Sequence, residues 1–273
     1  MVKLLKATAI LAIASILLTP LVGCGEAETG KEVTIPDPNL EAAIRWEIDK
    51  PDGDIYVSDL EGLTELHADS RGITDLTGLE HCTSLTDLRL DDNRISEVTH
   101  LSNLTNLTRL FLHHNQISDI SPLENLAKLT ILVLSGNRLS DISSLEELTS
   151  LRELELRWNN ISDISALENL TCLEYLSLSE NQIGDISALE NLTSLTALAL
   201  YDNQISDITS LTSLTSLDKV SLSGNYISNV QPLVSNPGLS EGDSVELTHN
   251  PLSTMSVNEY IPQLEVRGVA VLW

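Results

Sequence analysis

The sequence predicts an α/β repeat solenoid with a parallel β-sheet, a helical N-terminal cap and a small C-terminal cap. Two observations predict it. Asn93, Asn115, Asn137, Asn159, Asn181, Asn203 and Asn225 recur 22 residues apart without a slip. Around each asparagine the apolar residues keep one frame, L-x-x-L-x-L-x-x-N-x-I/L, as in Leu107–Ile117. A fixed period in the twenties with that frame is the signature of leucine-rich repeats, which bury their apolar faces only by stacking on one another.

Within a repeat, Leu110 and Leu112 alternate as a strand requires, so both point inward. Ile117, Ile120, Leu123 and Leu126 return along the outer side and fill the same core. The asparagine ends the strand. Its amide both donates and accepts, so stacked asparagines can satisfy the buried backbone of neighbouring turns.

Residues 1–23 read as a targeting segment. Lys3 and Lys6 precede an apolar run of sixteen residues from Ala7 to Val22. That is short for a membrane span and typical of a signal peptide. The segment ends Leu21-Val22-Gly23-Cys24, which resembles a bacterial lipobox and implies cleavage before Cys24 and lipid attachment to it. Several acyl chains anchor stably where one holds only marginally. The expected location is extracytoplasmic, lipid-anchored to the cell membrane or outer membrane. Residues 24–34 form the tether, with Gly25 to Glu32 polar.

The full chain carries a net charge of −25. Loss of Lys3 and Lys6 leaves 13 basic against 40 acidic residues, a net charge of −27. Such a surface argues against nucleic acid and against contact with an anionic membrane other than through the anchor.

Residues 35–62 form the N-terminal cap. Asp37 caps a helix with Pro38 at its first position, and Leu40, Ala43, Ile44 and Ile48 share one face. Pro51-Asp52-Gly53-Asp54 is a turn, followed by an expected short strand over 55–57. The repeats fill residues 63–250. In the first, Arg71 replaces the asparagine and Ala68 the second strand leucine, as expected of a terminal repeat. The last is stretched by Pro237-Gly238 and Gly242, so that Asn225 to Asn250 spans 25 residues. Residues 251–273 form the C-terminal cap. Ser256 and Glu259 suggest a capping box, Pro262 limits or kinks the helix, and Val269 and Val271 suggest an edge strand. Nine strands then span about 40 Å at about 4.8 Å each.

Cys82 occupies a core leucine position and Cys172 a solvent position four repeats away, roughly 20 Å at the strand spacing. A disulfide needs Cα atoms within about 7 Å, so no bridge is expected.

The lead-in IPDPNLEAAIR (35–45), the join GITDLTGLE (72–80), the repeats and the ending NPGLSEGDSVELTHNPLS…YIPQLEVRGVAV (236–271) resemble bacterial internalin-like leucine-rich-repeat surface proteins. The resemblance covers nearly all of the mature chain. It implies a right-handed solenoid with a concave parallel sheet that binds a protein. The chain departs from the pattern in two ways: no immunoglobulin-like domain follows the repeats, and a lipobox replaces a C-terminal wall-sorting signal. Host-cell attachment therefore does not carry over.

The third, fifth, seventh and eighth positions of each repeat face the concave side. Only nine of the 273 residues are aromatic, and Phe111, Trp158, Tyr175 and Tyr201 fall there. Ile131 and Val133 add aliphatic area beside Phe111. Arg89, Arg109 and Arg157 fall there too, with His113 and Glu155, on a chain otherwise poor in cations. Aromatics beside arginine are what interface hot spots use. These eleven residues form the expected patch for a protein or peptide partner, presented by a monomer. A structural or glycan-binding envelope role is the alternative, because aromatics with carboxylates also stack on sugars.

Two other groupings have plainer readings. Asp91 with His113, and Asp92 with His114, stand on neighbouring strands within range of a shared metal. With no evident outer shell, they are read as ion pairs and no metal is assigned. Asp75, Glu97, Asp119, Asp141, Asp163, Asp185 and Asp207 repeat at 22 residues. They are read as local caps of the outer turns rather than as calcium ligands. No phosphate loop, G-x-S-x-G or H-E-x-x-H occurs, so neither catalysis nor a cofactor is expected.

Overall fold

The computed structural model describes residues 30–273. The signal segment, Cys24 and the first part of the tether lie outside the described residues. Ten short parallel strands form one sheet in sequence order. They are β1 (Glu65–His67), β2 (Asp87–Arg89), β3 (Arg109–Phe111), β4 (Ile131–Val133) and β5 (Glu153–Glu155). β6 (Tyr175–Ser177), β7 (Ala197–Ala199), β8 (Lys219–Ser221), β9 (Ser244–Glu246) and β10 (Ala270–Leu272) follow. Each regular unit returns through one 3-10 turn, such as Ser121–Leu123. This is the leucine-rich-repeat solenoid the period predicts. Strands pair in register 22 residues apart, so Leu88, Leu110, Leu132, Leu154, Leu176 and Leu198 form one buried column.

The asparagine ladder follows from unmet backbone groups. Asn115 Oδ1 accepts the Ile95 N–H at 3.0 Å, and its Nδ2 donates to Leu90 O at 3.0 Å and Leu112 O at 3.1 Å. The same three bonds recur at Asn137, Asn159, Asn181, Asn203 and Asn225. The first unit needs no asparagine of its own, because Asn93 Oδ1 accepts from both Arg71 N and Ile73 N. Asn250 adds a further rung across the stretched repeat.

Six of the seven residues of the acidic row are caps; the exception is Glu97, whose carboxylate takes no backbone N–H among the described residues. Asp75, Asp119, Asp141, Asp163, Asp185 and Asp207 each accept the backbone N–H two residues on, at 2.8–2.9 Å. These donors hold the carboxyls of the four central ones, Asp119 to Asp185, below the usual range.

Helix α1 (Pro38–Glu47) covers the first repeat, with Leu40, Ala43 and Ile44 buried. Asp37 caps it at Asn39 N and Leu40 N through one oxygen. Its other oxygen accepts Thr74 N, Thr74 Oγ1 and Asp75 N, which fastens the cap to the first repeat. Burial alone would raise the Asp37 carboxyl. The backbone donors outweigh that and hold it below its usual value. Asp37→Ala is expected to lose about 1–3 kcal/mol near neutral pH. The sign is that of a depressed carboxyl: the stabilisation is present above the unfolded pKa of about 3.9 and is lost as pH falls through the lower folded value. Melts of wild type and variant should therefore differ at pH 7 and converge in acid.

The expected strand over 55–57 is not formed. Asp59 accepts the Tyr56 N–H at 2.8 Å, which starts the helical turn α2 (Val57–Leu60). Tyr56 instead bridges antiparallel to Glu32, and Val33 N donates to Ile55 O at 2.8 Å. The end of the expected tether is thereby drawn into the cap.

The C-terminal end differs from expectation in two ways. The sheet has ten strands rather than nine, about 43 Å at about 4.8 Å per strand, because β9 forms within the stretched unit. The insertion displaced the frame that Val245, Leu247 and Asn250 otherwise keep. The Ser256–Glu259 capping box is also absent. Ser253 Oγ takes the Ser256 N–H, while the buried Ser256 hydroxyl donates to Ser228 O at 2.7 Å. A π-turn over Ser256–Tyr260 then leads into α3 (Ile261–Val266), where Pro262 has no N–H to offer. Arg267 ties this end down through the carbonyls of Val234, Asn236 and Leu239. Cys82 is buried and Cys172 is exposed, and among the described residues neither forms a disulfide. Burial pushes the Cys82 thiol up to about 12.

Candidate functional site on the concave face

The parallel register brings most of the predicted patch together. Arg89, Phe111, Val133 and Glu155 lie side by side on β2 to β5, as do Arg109, Ile131, Glu153 and Tyr175 on β3 to β6. The arginines are engaged within the chain. Arg109 Nη2 meets Asp87 Oδ2 at 2.6 Å, and Asp87 is almost wholly buried. The Arg89 guanidinium lies over the Phe111 ring at 4.9 Å, a cation–π contact that leaves Phe111 half-buried. Arg157 stacks on Tyr201 at 5.2 Å and donates from Nε to Glu180 at 2.9 Å. These pairs hold the side chains in fixed orientations. Val133 departs from expectation: at 7 % exposure, it offers a partner almost no area.

Trp158 differs from its neighbours. Its side chain is in the open, at 61 % exposure, and its backbone is left-handed at φ 58°. Every eighth position from Ser70 to Gly224 shares that conformation, and Gly136 and Gly224 meet it without strain. A bulky aromatic there is an outlier. The concave-row alternation seen in sequence gave no sign of this turn, although the two glycines were its only visible trace.

Beside Trp158 lies a hollow of about 330 Å³ walled by His113, His114, Glu155 and Arg157. The Trp158 and His114 rings meet edge-on at 6.0 Å. His113 Nδ1 is 2.6 Å from Asp91 Oδ1, and His114 Nδ1 is 3.0 Å from Asp92 Oδ1. Burial raises the Asp91 carboxyl to about 6 against the pull of His113. Burial also raises Glu155, with Glu153 adding to the effect. Tyr175 is raised by burial and by Glu155.

A second hollow, of about 230 Å³, was not expected from the sequence. Tyr175, Lys219 and Glu246 rim it, and Ala197 and Ala199 make its floor. Alanine carries no chemical signal in a sequence; here its small size creates the depth.

Among curated proteins no match is found. Family models described as leucine-rich repeats match residues 105–147 and 149–191, with a further repeat at 81–97. Among solved structures, the ectodomain of the plant receptor kinase GASSHO1/SCHENGEN3 from Arabidopsis thaliana, in complex with Casparian strip integrity factor 2, is 27 % identical. That match has a TM-score of 0.60 and covers 72 % of this chain and 25 % of that one. Internalin C2 from Listeria monocytogenes is 34 % identical with a TM-score of 0.73, over 84 % of this chain and 99 % of its own. The internalin InlF from the same organism is 35 % identical with a TM-score of 0.81, over 87 % of this chain and 68 % of its own. Two internalins matched in sequence and in backbone, each over two thirds or more of its length, place this chain in the internalin family of bacterial leucine-rich-repeat proteins.

Proposed function

We propose that the chain is a non-catalytic, extracytoplasmic binding protein that holds a protein or peptide on its concave face. Trp158 carries the reading. A large aromatic kept both exposed and in a left-handed backbone is costly to the fold, and strain of this kind collects at ligand-binding sites. Tryptophan is also the residue most enriched in interface hot spots, together with tyrosine and arginine; Arg157 shares its hollow and stacks in turn on Tyr201. The stacked arginines support the same reading, since groups already held in place lose less freedom on binding. The receptor ectodomain in complex with Casparian strip integrity factor 2, of the same fold, adds support by analogy. In this reading Cys24 carries the lipid that keeps the solenoid at the membrane.

The test is capture by the immobilised full chain from an extract of the native cell envelope, beside a glycan array. Recovery of one discrete protein, with no glycan bound, supports the reading. Retention of envelope glycan alone overturns it in favour of the glycan-binding role.

A further inference from the structure

His113 and His114 are consecutive, yet both rings reach the same carboxylate. His113 closes the strand row, and the left-handed backbone of His114 (φ 51°) turns its side chain back across the sheet. His113 Nε2 lies 3.6 Å from Asp92 Oδ2, and His114 Nδ1 lies 3.0 Å from Asp92 Oδ1. One ligand atom from each of the three residues falls within 4.8 Å of the other two. In a tetrahedral zinc site with bonds of about 2.0–2.2 Å, neighbouring ligand atoms stand about 3.3–3.6 Å apart. Small side-chain rotations therefore close the set around an ion.

The outer shell that the sequence did not reveal is present. His113 directs Nδ1 to Asp91 Oδ1 at 2.6 Å, and Asp91 is only 8 % exposed. The same carboxylate oxygen takes the His113 backbone N–H at 2.9 Å. A carboxylate on one ring nitrogen fixes the imidazole and presents the other nitrogen's lone pair, the usual support of a metal-ligating histidine. Gly136 leaves room for the arrangement, since a Cβ there would collide with the His114 ring. Ser135 Oγ, buried and without a hydrogen-bond partner among the described residues, lines the same hollow.

We propose that Asp92, His113 and His114 form a divalent transition-metal site of the zinc class, oriented by Asp91. Two imidazoles and one carboxylate suit zinc rather than calcium or magnesium, which take oxygen ligands. Three protein ligands leave a fourth position, and the half-exposed Asp92 and His114 side chains open it to the concave side. Water, or a carboxylate or imidazole from another molecule, would fill it. The site stands whether or not a protein is the partner, and its test needs none.

The test is calorimetric titration of zinc chloride into the metal-free full chain, carrying no histidine tag. Cobalt(II) follows as a spectroscopic probe. One zinc per chain is expected, with tetrahedral cobalt absorption bands and cobalt quenching of Trp158 fluorescence. His113→Ala and His114→Ala should each abolish these signals. Asp91→Asn should weaken binding about 10–100-fold, the usual loss for an outer-shell partner. His100→Ala, which removes a histidine paired with Glu80 elsewhere on the solenoid, should leave the titration unchanged. Absence of zinc binding at millimolar concentration overturns the proposal. So does binding that survives both His113→Ala and His114→Ala, or that is lost equally in His100→Ala.

Discussion

Asn159→Ala is expected to remove about 3–5 kcal/mol of stability, near the upper end for a single substitution. Asn159 Oδ1 accepts the Leu139 N–H at 3.0 Å, and Nδ2 donates to Leu134 O at 3.1 Å and Leu156 O at 3.0 Å. All three bonds are buried, and alanine replaces none of them. Each orphaned buried group costs about 1–3 kcal/mol, and the cavity is too small to hydrate all three. Asn160→Ala is the control: that side chain is exposed, and its backbone N–H keeps its bond to Leu139 O. A melting point lowered by roughly 10 °C in Asn159→Ala, with little change in Asn160→Ala, is the expected result. Because repeats couple only to their neighbours, the transition should also broaden as the solenoid begins to melt in two parts. Equal shifts in the two variants would contradict the ladder account.

Phe111→Ala combined with Trp158→Ala is expected to weaken partner binding about 1,000-fold. A hot-spot truncation costs about 2 kcal/mol or more, and two such losses correspond to roughly three decades in Kd. The fold should survive. Neither side chain belongs to the leucine column, and Phe111 contributes mainly its contact with Arg89. The Trp158 side chain is exposed, so its truncation removes little packing. Capture by wild type and variant, read beside unchanged circular dichroism and melting, separates lost binding from lost structure. Undiminished capture by the double variant would remove Phe111 and Trp158 from the site.

The fold was legible because stacking punishes any departure from the period. A leucine moved by one position turns outward, and an asparagine moved by one leaves buried amides unmet. Seven asparagines in register therefore announce the ladder, and Asp37-Pro38 announces the cap helix. Legibility failed where the register is interrupted. The three extra residues before Asn250 hid β9, although Val245, Leu247 and Asn250 keep the strand spacing. Ser256 carried the letters of a capping box, but its hydroxyl is committed to the preceding turn.

The site was legible only as rows. Alternation placed Phe111, Tyr175 and Arg157 on one face, and the 22-residue register set their neighbours. Depth within a row depends on which side chain lies over which. The cover over Val133, the stacking of Arg89 on Phe111 and the burial of Asp91 beneath His113 are properties of packed side chains. The left-handed turn that exposes Trp158 and swings His114 towards Asp92 is a backbone feature, and five kinds of side chain other than glycine occupy it.

The most direct test of concave-face binding is photocrosslinking in intact cells, with a photoreactive residue at Phe111 and a matched control at Ser223. A discrete protein adduct at position 111 alone is the predicted result, and it would name the partner. Equal diffuse adducts at both positions, or adducts to envelope glycan only, would contradict the protein-binding account.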